Sequence, residues 1–186
     1  MQDISEDIIK KAADGDFKSF EVIYKTTADF VYNVARRIVN NREDAEEVAQ
    51  ETFLTVYHKL RDFRFESSFK TWVYRVTANH AINFARRMAR VRRGMTVYED
   101  GLTSGTATSG IEENVNQEHN EKVVEKLLEY LNPEQRACIV LRNIEELSYQ
   151  DIAETLKINI NTVRSRLKRA REKLLAVQRQ VDYERM

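Results

Sequence analysis

Proline is nearly missing from this chain: one residue in 186, beside five glycines and one cysteine. So few breakers leave long stretches free to run as helix. Cys138 has no partner for an internal disulfide, which excludes a disulfide framework and fits a reducing cytoplasm. It sits in the apolar run ACIVL, where a buried small hydrophobe is expected rather than a reactive thiol. No hydrophobic run approaches the ~20 residues that span a bilayer. The opening residues, MQDISEDIIKKAADGD, are acidic and mixed, unlike a secretory signal. A cytoplasmic protein with no direct membrane insertion is expected. His58, His80 and His119 lack metal-ligand spacing, and there is no glycine-rich phosphate loop and no nucleophile–base pair. No catalytic residue, metal or cofactor is therefore expected.

Net charge is absent too, with 30 basic against 30 acidic residues. The zero hides an uneven distribution. Residues 1–93 hold 17 basic and 14 acidic residues, 94–130 hold two and eight, and 131–186 hold 11 and eight. Two mildly basic blocks flank an acidic middle, which points to nucleic-acid partners more strongly than the global charge does.

What is present is helical periodicity. Phe17, Phe20, Ile23 and Tyr24 recur at helical spacing, as do Val31, Val34, Ala35 and Ile38. Asn41 is set to cap a helix whose buried stripe is Ala45, Val48, Ala49, Phe53, Val56 and Leu60. DFRFESS breaks the pattern, and a long helix is expected from about Phe69 to Arg93, with Trp72, Val73, Val76, Ala85 and Ala89 inward. The stretch 94–117, rich in Gly, Ser and Thr, reads as a flexible linker. Beyond it, EKVVEKLLEYL is amphipathic, Asn132-Pro133 opens a helix, and Ser148-Tyr149-Gln150-Asp151 starts another with a capping box. The short turn KINI leads to a last helix capped by Asn159 or Asn161. The fold class is all-α: two small helical domains joined by a linker.

The last helix begins with NTVRSRLKRAREKLL, six basic residues and one acid in 15. At 100° per residue, Val163, Leu167, Ala170 and Leu174 fall within a band of about 60°. Asn161, Arg164, Ser165, Lys168 and Arg169 lie opposite, and Arg166, Arg171 and Lys173 flank the band. A short helix, a tight turn and a helix with exposed polar groups at its start describe a helix-turn-helix. Its second helix enters the major groove of DNA, where Arg can pair with guanine and flanking cations approach phosphates. The alternative, a basic helix whose charges merely face water, leaves the turn and the two capped starts unexplained. The turn lacks the glycine often found there.

A second constellation is FRFESSFKTWVYRVTANHAINFARRMARVRR. It combines Phe63, Phe65, Phe69, Trp72 and Tyr74 with Arg64, Lys70, Arg75, Arg86, Arg87, Arg90, Arg92 and Arg93. Stacked rings and backbone-tracking cations suit single-stranded nucleic acid, although residues like Phe69 and Trp72 are more often core than platform. A third is the acidic segment around 44–53. Glu43, Asp44, Glu46, Glu47 and Glu51 would repel DNA and suit a basic protein surface, but the residues alone favour a plain solvated acidic face.

Taken together, EDAEEVAQETFLTVY, FRFESSFKTWVYRVTANHAINFARR and LNPEQRACIVLRNIEELSYQDIAETLKININTVRSRLKRAREKL resemble the bacterial RNA polymerase sigma factors of the extracytoplasmic-function (ECF) group of the sigma-70 family. The likeness runs from about Asp14 to Val177. It implies sigma region 2 over 1–93, a linker over 94–117 and sigma region 4 over 118–186. It implies a non-enzymatic factor that binds core RNA polymerase through the largest-subunit coiled coil and the flap region. Such a factor reads the minus-thirty-five element as duplex and the minus-ten element as melted strand, and is regulated by an anti-sigma factor. By resemblance, Asp44, Glu47, Val48, Gln50, Glu51 and Phe53 meet the polymerase. Phe63, Arg64, Phe65, Phe69, Lys70, Trp72, Arg75, Asn79, Arg86 and Arg87 meet the minus-ten strand. Arg142, Tyr149, Gln150, Thr162, Arg164, Ser165, Lys168 and Arg169 meet the minus-thirty-five duplex. Two positions depart from the family: Phe65 stands where glycine is common, in the base-capturing loop, and Asn83 where an acid is common. The rival reading is a stand-alone helix-turn-helix repressor or activator, for which the aromatic and cationic N-terminal block has no task.

Overall fold

The computed structural model describes residues 4–95 and 123–184, and among these every regular element is helical. The first group is α1 (Glu6–Ala13), α2 (Phe17–Val39), α3 (Arg42–Lys59) and α4 (Phe69–Met95), with a short 3-10 turn at Leu60–Asp62. The second is α5 (residues 123–129), α6 (Pro133–Ile139) running on into a π-helical turn Val140–Ile144, then α7 (Tyr149–Leu156) and α8 (Ile160–Glu184). The all-α class holds. The expected linker lies outside the described residues except for its first two positions, which close α4.

Local chemistry explains the boundaries. Asp16 caps α2 by accepting from the Ser19 amide at 2.9 Å, and Asn41 caps α3 through the Asp44 amide at 2.9 Å. Between α1 and α2, Gly15 takes φ +99, a conformation side chains resist. Asn40 ends α2 in the left-handed region at φ 60. Complete capping boxes open α6 (Asn132 with Gln135) and α7 (Ser148 with Asp151). Lys157, at φ 51, fills the left-handed position where the turn would favour glycine. Asn159 rather than Asn161 starts α8, its side chain accepting from the Asn161 amide at 2.8 Å.

Two apolar clusters hold the chain together. One joins α1, α2, α3 and the start of α4 through Ile9, Ile23, Val31, Val56, Leu60 and Val73. The other runs through both helical groups: Val34, Ile38, Val48, Ala78 and Ile82 meet Leu128, Ile139, Leu141, Ile152 and Leu167. Each fully buried aliphatic side chain here contributes about 1.5–3 kcal/mol. The two groups, which the sequence reads as two small helical domains joined by a linker, share this core. For the same reason α4 is buried on two sides. Tyr74, Ala78, Ala81, Ile82 and Phe84 join the interior in addition to the anticipated stripe. Phe17 and Tyr24 depart the other way, 71% and 48% exposed on α2.

Candidate nucleic-acid interface

In the helix-turn-helix, α7 offers Ile152, Ala153 and Leu156 to Val163, Leu167 and Ala170 of α8, and all six are buried. The wheel's apolar band is the docked face. Asn161, Arg164, Lys168 and Arg169 are exposed opposite it, while Thr162 and Ser165 are half-buried. Arg164 is held by its own helix, Nη1 donating to Asn161 Oδ1 at 3.0 Å, and Ser165 Oγ donates to the Thr162 carbonyl at 3.0 Å. On the preceding elements the Arg142 guanidinium lies 5.4 Å from the Tyr149 ring centre and donates to the Leu147 carbonyl at 2.8 Å. Gln150, exposed, donates to Glu154 at 3.2 Å. A row of pre-oriented donors on a rigid helix is suited to base edges and phosphates.

Two flanking cations expected at phosphates are engaged within the chain instead. Lys173 Nζ donates to the Tyr130 carbonyl at 3.1 Å. Arg166 lies against Cys138 and Glu134. Burial pushes the Cys138 thiol up to about 11, with Arg166 opposing it, so the thiol stays protonated and packs as a small hydrophobe.

The aromatic block divides into floor and surface. Phe63 is the hub, its ring centre 4.7 Å from Phe65, 5.2 Å from Trp72 and 5.6 Å from Phe69. Phe63 and Phe69 are buried and Trp72 half-buried, so the first two form a platform's underside rather than a stacking surface. Phe65 is 38% exposed, with Lys10 Nζ 5.3 Å from its ring centre. Its φ of 58 puts a bulky residue in the left-handed region, which costs of order 1–2 kcal/mol. Beside it a cavity of about 330 Å³ is lined by Glu6, Ser67, Ser68, Phe69 and Lys70. Arg64 and Lys70 are exposed and Arg75 is half-buried.

The remaining strand-reading candidates are engaged. Asn79 Nδ2 donates to the Thr155 carbonyl of α7 at 3.4 Å. Arg86 Nε donates to Glu134 at 2.6 Å, and Arg87 Nη2 to Glu47 at 3.1 Å. Burial works against ionisation of Glu134, yet the Arg86 hydrogen bond and charge outweigh it and hold the carboxyl below its usual range.

On α3, Val48 is 0% exposed and faces the core, so it positions the helix and offers nothing to a partner. Glu47 and Gln50 are exposed, Asp44 and Glu51 half-buried, and Glu51 lies 3.4 Å from His80 Nδ1. Phe53, half-buried, packs on Tyr24 with ring centres 4.6 Å apart. Sequence reasoning missed the groove of about 830 Å³ between α2 and α3, where Phe17, Phe20, Tyr24, Leu54 and Tyr57 meet Asp29 and Glu46. A signal was available: Leu54 and Tyr57 are large apolar residues off the buried stripe of α3.

Comparison with known proteins bears on this architecture. The sigma-70 region 2 family matches residues 23–91, and the sigma-70 region 4 family matches 121–174. The ECF RNA polymerase sigma-E factor of Haemophilus influenzae is 31% identical over 171 residues, covering 89% of this chain and 90% of that one. The chain belongs to the ECF group of the sigma-70 family. ECF sigma factor SigW of Bacillus subtilis is 32% identical to this sigma factor, covering 89% of it and 92% of SigW. SigE of Mycolicibacterium smegmatis is 33% identical, and this sigma factor spans 60% of that relative's length. Among solved structures, CnrH with the cytosolic domain of CnrY matches with a TM-score of 0.63 at 24% identity, covering 93% of this chain and 96% of that one. The sigma factor RpoE with the anti-sigma factor NepR from Bartonella quintana matches at 0.62 and 24%, covering 87% and 98%. These two likenesses speak for the fold. The family's members direct transcription, and this sigma factor shares that role.

Proposed function

We infer that this ECF sigma factor binds core RNA polymerase and directs initiation at promoters of its own specificity. In this reading α7 and α8 take the minus-thirty-five element as duplex, with Arg164, Lys168 and Arg169 toward the DNA. The Phe65 loop and α4 take the minus-ten element as separated strand. The acidic face of α3 and the neighbouring apolar groove dock on the polymerase, with Glu47 and Gln50 at the contact. The observation that carries the reading is the exposed cationic face of α8 on a helix-turn-helix docked through Val163, Leu167 and Ala170. In one chain with it stands an aromatic and cationic loop of the other kind.

The similar structure of RpoE in complex with the anti-sigma factor NepR supports an anti-sigma factor as the regulator. The exposed rings of the α2–α3 groove suit an amphipathic helix of such a partner or of polymerase. No catalytic chemistry is assigned to the chain.

The decisive experiment is in vitro transcription with core polymerase on a promoter library. Enriched promoters with two conserved blocks at fixed spacing are expected. Duplex binding without polymerase, and no stimulated initiation, would instead support a stand-alone regulator.

A further inference from the structure

The loop between the 3-10 turn and α4 holds a bulky side chain where backbone sterics resist one. Phe65 sits in the left-handed region at φ 58, and its ring is still 38% exposed. Strain kept at a surface ring points to something the ring meets. Beside it lies the cavity of about 330 Å³, a size at the low end of small-ligand sites.

The cavity is lined by α1 as well as by the loop. Ile4, Ile9, Phe65 and Phe69 give it an apolar lining, and Glu6, Ser67, Ser68 and Lys70 a polar one. Two of the polar groups are used elsewhere. Ser68 Oγ accepts from the Thr71 amide at 3.1 Å, capping α4, and the Lys70 ammonium lies 5.4 Å from the Phe30 ring centre. Glu6 accepts from Lys10 Nζ at 3.1 Å, and the same ammonium is 5.3 Å from the Phe65 ring centre. One cation thus ties the carboxylate of α1 to the ring of the loop. Trp72, Asn79 and Arg86, assigned to the same strand, do not line this cavity.

A flat ring stacked on Phe65 suits such a site, whereas a phosphate would be repelled by Glu6. A carboxylate paired with a lysine only accepts hydrogen bonds, so it discriminates bases by the donors on their edges. Unpaired guanine offers two adjacent donors, N1–H and the N2 amine, which a carboxylate takes as a bidentate, charge-assisted pair. Adenine and cytosine set one amine beside a ring-nitrogen acceptor that opposes the carboxylate. Thymine has a single N–H between two carbonyls.

We propose that α1 supplies the base-selecting wall of the strand-reading loop: Phe65 stacks an unpaired base in this cavity, and Glu6 selects guanine. The proposal rests on the reading that the Phe65 loop takes the minus-ten strand. It adds a residue outside that loop, on α1, as the one that sets specificity there. Phe65 is indifferent to base identity, because every base has a face to stack on.

The test uses the full chain bound to core polymerase, with core polymerase alone as the blank. The probe is a short fluorescent oligothymidylate whose central base is thymine, guanine, hypoxanthine, adenine or cytosine. Guanine should bind roughly fivefold tighter than thymine, the low end for one base-specific contact. Hypoxanthine, which lacks the N2 amine, should lose most of that gain. Glu6→Leu should level all five bases with circular dichroism unchanged. Lys10→Met leaves the acid in place and should keep the guanine preference. Phe65→Gly should weaken every oligonucleotide alike. A guanine preference that survives Glu6→Leu, or no preference in the parent, overturns the proposal. If Phe65→Gly and Arg64→Ala both leave strand affinity untouched, the strand reading itself falls and the proposal with it, a result distinct from loss of base selection alone.

Discussion

The guanidinium of Arg136 on α6 donates to the backbone carbonyl of Ile38 on α2, 3.0 Å away, and so ties the two halves of the molecule at main-chain level. Its other nitrogens donate to the carbonyls of Leu128 and Leu131, at 2.9 Å and 3.2 Å. A buried cation thus closes carbonyls at the ends of α2 and α5, where helices leave acceptors unpaired and the dipole favours positive charge. Burial pushes Arg136 down to about 10, which still leaves it charged at neutral pH. Replacing it strands the buried carbonyls of Ile38 and Leu131, while that of Leu128 still accepts from the Leu131 amide. Arg136→Ala should cost about 3 kcal/mol or more. That corresponds to a melting temperature lower by roughly 10 °C for a chain of this size. Arg136→Lys should recover little, because one ammonium cannot span the three carbonyls. A melting curve unchanged by Arg136→Ala would remove the residue from the stability argument.

Arg164 and Glu47 separate the two binding functions. Arg164→Ala should lose about 1–3 kcal/mol of specific duplex binding while polymerase pull-down is unchanged. Glu47→Lys should do the reverse, and it also releases Arg87, now held at 3.1 Å. Filter binding and pull-down on the same preparations check both. If each change weakened duplex binding alone, the acidic helix would have no part in polymerase docking.

Phe65 sets stability against strand binding. Its left-handed backbone at φ 58 is one that glycine adopts freely. Phe65→Gly should therefore stabilise the fold by up to about 1 kcal/mol. It also removes the exposed ring beside Lys10 and one wall of the 330 Å³ cavity. Single-strand affinity should drop by about 1–3 kcal/mol, the scale of one stacked base. Thermal melting and oligonucleotide titration should thus move in opposite directions. Parallel movement would mean that the ring is structural only.

Glu145 brings a pH dependence. Burial pushes its carboxyl up, and the charges of Arg37, at 3.7 Å, and Lys70 only partly oppose this. The folded state then holds the proton more tightly than the unfolded one, so this group's stability contribution is present at low pH and lost as pH rises through the folded value. Glu134, held below the usual range, works in the other sense: its contribution is lost as pH falls through its folded value. Glu145→Gln should raise the melting temperature at pH 7.5 and remove the part of the profile that favours mild acid. An identical pH profile in the variant would assign that dependence to other groups.

Much of this architecture was legible in the amino-acid order because its causes are local. Caps at Asn41, Asn132 and Ser148 act within three residues of themselves. The apolar band Val163, Leu167, Ala170 needs only the helical repeat to be recognised, and with it the polar face opposite. Asn159, not Asn161, took the last cap, a choice that depends on turn geometry at Lys157.

What tertiary structure decided is where one helix had to serve two neighbours. No periodicity announces that Tyr74, Ala78 and Ile82 are buried, because the second group that covers them is distant in sequence. Likewise Phe63 and Phe69 became floor and Phe65 surface through packing against α1 and α4, although the three rings are alike in composition. Arg166 and Lys173 found partners in Cys138, Glu134 and a carbonyl that only the folded chain brings near. Amino-acid order alone sets which helices form and which chemistry their faces carry, since capping and amphipathicity are short-range. Long-range packing decided which of those faces remain free.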